Sequence, residues 1–369
     1  MSIFGVQGGG KSYTVGAIVE MAVRSLPGLN VLPKPLGAVV FHYHQTQDYP
    51  PEFVSMHERN DDPAQVRALA DWEAEPAAVE DMVVLTTSDM VEARRREFPY
   101  ATVKPIAFSS AELTIPDWRF LMGAVGSDAL YLKLLNEVMR KSRDNLTLEA
   151  IRAGVTTAPL TDSQRGLAET RLDFAARFID DTRSLRSLFK PGRLLVVDLR
   201  DEFIEKEQAL GLFVTMLNIF AEAKVGKDEK FNKLIVFDEA HKYMGGALIG
   251  QVVETIRQMR HNGVTVTIAS QDPINVPPAI IELSSSIILH RFNSPNWLRH
   301  IQKSLAPLAD LTPAMLSALA PGEALIWANK ASDPTFTRRA VKIRIRPRAT
   351  KHGGSTQTAV DRYIKDNGV

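Results

Sequence analysis

The sequence predicts an α/β fold on a mostly parallel central sheet, and two observations predict it. The first is alternation. Apolar or β-branched runs of strand length at 2–6, 38–43, 82–87, 193–198, 233–238, 264–270 and 286–289 are interleaved with helix-length segments, among them 11–24, 210–223 and 250–260. Strands joined through such segments pair in parallel by crossover connections. The second is the Gly-rich segment Gly5-Val6-Gln7-Gly8-Gly9-Gly10-Lys11-Ser12, which lies between the first strand and the first helix. A phosphate-binding loop requires that strand, loop and helix setting.

A chain of 369 residues, 45% of them hydrophobic, can bury one large α/β core or two modest ones. Its formal net charge of +1 argues against coating nucleic acid through bulk positive charge, so any DNA contact is expected to be focal. The absence of cysteine excludes disulfides, thiolate zinc sites and cysteine nucleophiles, and it fits a cytoplasmic location. No apolar run approaches the roughly 20 residues of a membrane helix, so no membrane association is expected. The phosphate motif begins almost at once and leaves only residues 2–6 for its strand. Either that strand is short or an upstream domain is encoded elsewhere.

Within the first helix, Val15, Ile18, Val19 and Ala22 stand at core spacing. The charged, proline-punctuated stretch 49–80 reads as a surface insertion. From 118 to 189 the pattern is helical, with Leu130, Leu134, Leu135 and Val138 on one face and Leu167, Leu172 and Phe178 on later amphipathic segments. The expected organisation is a first part of the core over 1–110, a helical insertion subdomain over 111–190 and a second part of the core over 191–369. The last part ends in strands at 323–328 and 340–345 and a polar tail.

Glycines 8, 9 and 10 let backbone N–H groups surround phosphate oxygens, Lys11 neutralises them, and the Ser12 hydroxyl is a ligand for Mg²⁺. The positive end of the helix starting at Lys11 adds to the attraction. Leu234-Ile235-Val236-Phe237-Asp238-Glu239 is an apolar strand ending in two acids. Asp238 is expected to hold the metal, and Glu239, on the opposite side of the extended chain, to act as general base on water. Gln271 ends a further buried strand, where it either senses the γ-phosphate and the attacking water or caps the next helix.

Four blocks resemble the HerA/FtsK family of ring-forming DNA translocases: residues 4–15 with Tyr13 after the loop, Asp238-Glu239-Ala240-His241, residues 268–273, and Arg348-Ala349-Thr350-Lys351-His352-Gly353-Gly354. The resemblance covers most of the chain. It implies a RecA-like P-loop NTPase that uses ATP and Mg²⁺, assembles as a homohexamer and acts on double-stranded DNA. A neighbouring subunit would supply an arginine finger to each site. Segment 256–263 looks like the family's arginine-bearing helix, with Arg260 the preferred finger and Arg257 and Arg291 weaker candidates. Two features depart from the family. An acid is common after the second strand, where this chain has Val40-Phe41-His42-Tyr43-His44. A β-barrel is common ahead of the loop, where the residues present are too few for one.

Seven Lys or Arg residues lie between 338 and 351, and Lys342, Arg344 and Arg346 alternate with apolar residues. This basic strand face serves DNA phosphates, nucleotide phosphates or a neighbour's acids, or, as is commoner, keeps an edge strand soluble. His42 and His44 lack zinc-site spacing. Two functional classes follow: a motor moving duplex DNA through a ring, and a nucleotide-regulated ring that organises a partner effector such as a nuclease in antiphage defence. A two-domain DEAH helicase is excluded because too few residues follow Gln271 for its second domain.

Overall fold

The computed structural model describes residues 1–122, 130–226, 229–245, 249–259 and 262–354. Its main sheet has ten strands. The first five are β1 (Ser2–Phe4), β2 (Gly37–His44), β3 (Met82–Thr86), β4 (Thr102–Pro105) and β5 (Leu194–Arg200). A separate hairpin of β6 (Lys224–Val225) and β7 (Glu229–Lys230) precedes the rest: β8 (Lys233–Phe237), β9 (Val264–Ser270), β10 (Ser286–Leu289), β11 (Glu323–Ala328) and β12 (Val341–Arg344). The order across the sheet is β12-β11-β10-β1-β9-β8-β2-β5-β3-β4. Only β11 runs antiparallel to its neighbours, β10 and β12; every other pairing is parallel.

Both faces of the sheet are covered, which is why its central strands read as unbroken apolar runs. Successive residues enter opposite cores. Val39 and Phe41 of β2, Leu195 and Val197 of β5 and Ile235 and Phe237 of β8 join one. Ala38 and Val40, Leu194 and Val196, and Leu234 and Val236 join the other. The phosphate-loop helix α1 (Lys11–Val23) buries Val15, Val19 and Val23 in the second core.

After α2 (Pro63–Ala70) and α3 (Val91–Glu97) comes a helical segment: α4 (Ile115–Leu121), α5 (Leu130–Lys141), α6 (Leu148–Thr157) and α7 (Asp162–Ala176). Leu135, Val138 and Leu172 are buried there as their spacing predicts, whereas Leu167 is exposed. The next helix, α8 (Lys206–Ala221), is buried along most of its length and carries Phe213, Leu217 and Phe220 into the first core. Five more follow among the described residues: α9 (Ile249–Met259), α10 (Pro278–Leu283), α11 (Pro295–Ser304), α12 (Pro313–Ser317) and α13 (Pro334–Arg338).

The stretch 49–80 is not the surface insertion its composition suggests. Phe53, Val54 and Met56, on the 3₁₀-helix Glu52–His57, and Val79 are buried in the second core. Strand β4, with burial confined to Val103, was not visible in the sequence pattern at all.

Candidate nucleotide site

The register of the sheet brings the motifs together. Phe4 of β1 pairs with Ser270 of β9, and Phe237 of β8 pairs with Ile268. The glycine loop, Gln271 and the two acids therefore leave adjacent strands at one carboxyl edge, where ligands gather in open parallel sheets.

The loop is shaped by its glycines. Gly8 and Gly10 hold φ of 71° and 96°, which costs glycine nothing and other residues a steric penalty. Gly5 meets the next strand so closely that a Cβ there would come within 2.6 Å of His290 Cβ. Helix α1 begins without a side-chain cap, and Thr14 N–H is the first backbone donor within it, to Gly10 O at 3.0 Å. The N–H groups of Lys11, Ser12 and Tyr13 precede the helical bonding pattern and are open to an anion. Lys11 is buried with only the Val6 carbonyl near its Nζ, at 3.4 Å. Burial lowers its pKa, and the charges of Glu239, Asp238 and Glu52 oppose that shift. A desolvated ammonium facing carboxylates across a glycine loop fits a triphosphate–metal complex.

Asp238 is also buried, with its backbone N–H on Phe41 O at 3.0 Å and its carbonyl accepting from Tyr243 Oη at 2.8 Å. His42 Nδ1 stands 3.6 Å from its Oδ2. The second strand thus sets an imidazole against the expected metal ligand. Ser12 and Asp238 carry hard oxygens of the kind that Mg²⁺ accepts, and such an ion keeps waters and takes phosphate oxygens besides.

Glu239 is not on an extended chain, as its position after a strand suggests. The strand ends at Phe237, and Glu239 adopts φ 47° and ψ 43° to open a short 3₁₀ turn. Its Oε1 accepts from Gln271 Nε2 at 2.7 Å, while its Oε2 is buried without a hydrogen bond. His241 explains the second fact. Its Nδ1 lies 3.3 Å from Oε2 but accepts the Gln271 backbone N–H at 3.4 Å, and burial lowers its pKa, so it has no proton to offer there. Gln271 thus holds the Glu239 carboxylate, and it does not cap the helix after Pro277 and Pro278, since α10 has Pro277 at its N-cap and no side-chain cap.

Sequence reasoning missed His290 altogether. It is buried at the end of β10, its Nε2 is 2.9 Å from Thr14 Oγ1, and its Nδ1 lies beside Gly10 without a partner. Lys242 was missed too; burial lowers its pKa against the pull of Glu239 and Asp238. Arg257 pairs with Glu254 at 3.2 Å on the exposed face of α9, and the Arg291 carbonyl accepts from Val6 N–H at 3.2 Å beside the chain's own loop. Arg260 lies outside the described residues. Among the basic residues near the C-terminus, Lys342 pairs with Glu323 at 2.8 Å, and Arg346 and Arg348 turn inward against α1, so the strip is largely structural. A cleft of about 1110 Å³ between the ends of β3 and β5 and the helical segment, lined in part by Asp89, Arg171, Phe174 and Glu207, includes none of the phosphate-loop residues.

Among solved structures, the unbound bacterial conjugative coupling protein TrwBdeltaN70 matches with a TM-score of 0.55 at 12% identity, over 96% of this chain and 86% of that chain. The fold is similar to that of TrwB. TrwB in complex with the non-hydrolysable GTP analogue GDPNP gives 0.53 at 12% identity over 97% and 87% of the two chains. TrwBdeltaN70 with sulphate gives 0.53 at 13% identity over 95% and 86%. At such identities the likeness is one of architecture, and it bears out the RecA-like P-loop core with a mostly parallel sheet. No protein-family model and no characterised protein matches the chain by sequence. No helix among the described residues is long and apolar enough to cross a membrane.

Proposed function

We propose that this chain is a Mg²⁺-dependent ATP hydrolase of the HerA/FtsK type that works as a ring-forming motor on double-stranded DNA. One observation carries the reading: buried Lys11 and the carboxylates of Asp238 and Glu239 meet at one sheet edge, with one Glu239 oxygen fixed by Gln271 and the other unpaired. The GTP analogue bound to TrwB supports a nucleoside triphosphate as ligand.

In this scheme the loop N–H groups and Lys11 neutralise the β- and γ-phosphates, and Ser12 and Asp238 hold the metal. The metal ion supplies charge to the developing phosphate oxygens. Glu239 Oε2 draws a proton from a water as its oxygen bonds to the γ-phosphorus and the bond to the β–γ bridging oxygen breaks. Gln271 keeps the carboxylate aimed. Tyr13 continues the nucleotide-binding loop, and Arg260 of a neighbouring subunit completes the charge on the transition state. Segment 111–190 is taken as the helical insertion of the motor, between core parts 1–110 and 191–369.

The test combines binding, turnover and DNA. Lys11→Ala is expected to abolish ATP binding, and Glu239→Gln to retain ATP while turnover falls by at least about 10²-fold. Normal turnover by either variant overturns the site. Linear duplex DNA is expected to raise the wild-type rate strongly and to let the protein displace a bound roadblock. A rate indifferent to DNA overturns the motor reading and leaves the hydrolase.

A further inference from the structure

Residues 345–354, after β12, form a strap that crosses α1 and returns to the first turn of the phosphate-loop helix. Glu20, fully buried in the last turn of α1, accepts from Arg346 Nη1 at 2.7 Å, from the N–H groups of Ala349 and Thr350 at 3.1 and 2.9 Å, and from the Thr350 hydroxyl at 2.7 Å. Arg348, also without exposure, lies on Gly16, where a Cβ would come within 2.4 Å of its guanidinium. Its backbone N–H donates to the Tyr13 hydroxyl at 2.8 Å, and that hydroxyl donates to Gln65 Oε1 at 2.7 Å.

The strap passes beside Tyr13. The His352 ring meets the Tyr13 ring edge to face, centroids 5.2 Å apart, and His352 Nδ1 pairs with Glu52. Gly353 and Gly354 pass so close to Glu52 that a Cβ on either would approach its atoms to 2.8 or 2.6 Å. Glu52 also lies near enough to Lys11 for its charge to act there.

Tyr13 is the residue after Ser12. The lysine of a phosphate loop reaches the β- and γ-phosphates and the hydroxyl residue reaches the metal, so the next open N–H on the helix turns to the α-phosphate. The nucleoside is bonded to that phosphate and must leave the loop along the surface beside Tyr13. We infer that His352, held against Tyr13 by Glu52, and the backbone of Gly353 and Gly354 form the wall on which the nucleoside of a bound nucleoside 5′-triphosphate packs. The imidazole face is the stacking surface, and the two glycines give the chain room to approach both Glu52 and the ligand. This deepens, and rests on, the nucleotide-site reading above.

The experiment compares ATP with inorganic tripolyphosphate, which has the phosphates and no nucleoside, by calorimetric titration of the full chain with Mg²⁺ present. Wild type is expected to bind both, ATP more tightly. His352→Ala is expected to weaken ATP by about tenfold, the size of one lost base-stacking contact, and to leave tripolyphosphate unchanged. His352→Phe keeps a flat ring and is expected to stay within about threefold of wild type for ATP. Equal weakening of both ligands by His352→Ala, no weakening of either, or a His352→Phe loss as large as that of alanine would each overturn the inference. If wild type bound tripolyphosphate but not ATP, the wall alone would be wrong. If it bound neither, the nucleotide site would fall and this inference with it.

Discussion

Glu239 sits in the left-handed region that L-residues other than glycine avoid at a cost of about 1–2 kcal/mol. Such a conformation persists where neighbours over-determine it. Here the Lys242 N–H donates to its carbonyl at 2.9 Å, and Gln271 holds its carboxylate. Removing the side chain relieves both the backbone strain and a buried oxygen without a partner. Glu239→Gly is therefore expected to raise unfolding free energy by about 1 kcal/mol in urea titrations while abolishing turnover; a less stable variant contradicts this account. His290 gives the residue scale its pH dependence. Burial, reinforced by the charge of Lys11 and opposed by a backbone contact at Glu323, pulls its pKa from 6.5 to about 4. The folded state thus binds the proton more weakly than the unfolded chain. Its contribution to stability is complete above pH 6.5 and is lost as pH falls from there toward 4, about 2 kcal/mol between pH 7 and 5. The pH 7-to-5 loss should shrink by that amount in His290→Gln, and an unchanged loss would count against it.

At the scale of elements, the strap and the phosphate-loop helix depend on each other through Glu20. Taking away one partner of a buried ion pair leaves the other charged and unpaired, at about 3–5 kcal/mol. Glu20→Ala leaves Arg346 and three further donors without their acceptor. A destabilisation of that order is expected by urea unfolding, and a cost below about 1 kcal/mol would show that water replaces the carboxylate. The same contact shows what was hidden in the sequence. Val15 and Val19 announce the buried face of α1 by their spacing, but Glu20, equally buried, looks like an exposed helix residue until its partners 326 and more positions away are seen. Likewise, β2, β5, β8 and β9 are legible because strands covered on both faces must be apolar throughout. Phe53, Val54 and Met56 are not, because a six-residue 3₁₀-helix between charged loops shows neither helical nor strand periodicity. At the site, Lys11, Ser12, Asp238 and Glu239 were legible from local pattern. His42 and His290 reach it only through the sheet order, and Lys242 through the bend at Glu239, which is set by contacts with Tyr243 and Gln271 that no local pattern encodes.

At the scale of the whole molecule, the proposed arginine finger makes hydrolysis a property of two subunits. Strand β8 delivers Asp238 and Glu239 to the carboxyl edge, and α9 then carries the chain back, since β9 starts at Val264 opposite Lys233, the first residue of β8. The Gly263 carbonyl accepts from Lys233 N–H at 3.0 Å, which fixes the end of this connection at the amino edge. Arg260 stands in sequence between Met259, the last residue of α9, and that anchor. Arg260 itself lies outside the described residues, and its proposed role is as a finger to the site of a neighbouring subunit. Under that proposal, each competent site needs Glu239 from one subunit and Arg260 from the next. Arg260→Ala alone is expected to bind ATP normally and to turn over at least about 10³-fold slower, as is usual when a finger is lost. Mixed in equal amounts with Glu239→Gln, it should regain activity, because about one interface in four joins an intact Glu239 to an intact Arg260 if subunits assort at random. Steady-state ATP hydrolysis of the two inactive variants, measured apart and after mixing, reads this directly. Mixtures no more active than their components would place the essential arginine elsewhere, with Arg291, whose backbone already touches the loop of its own subunit, the next residue to test in cis.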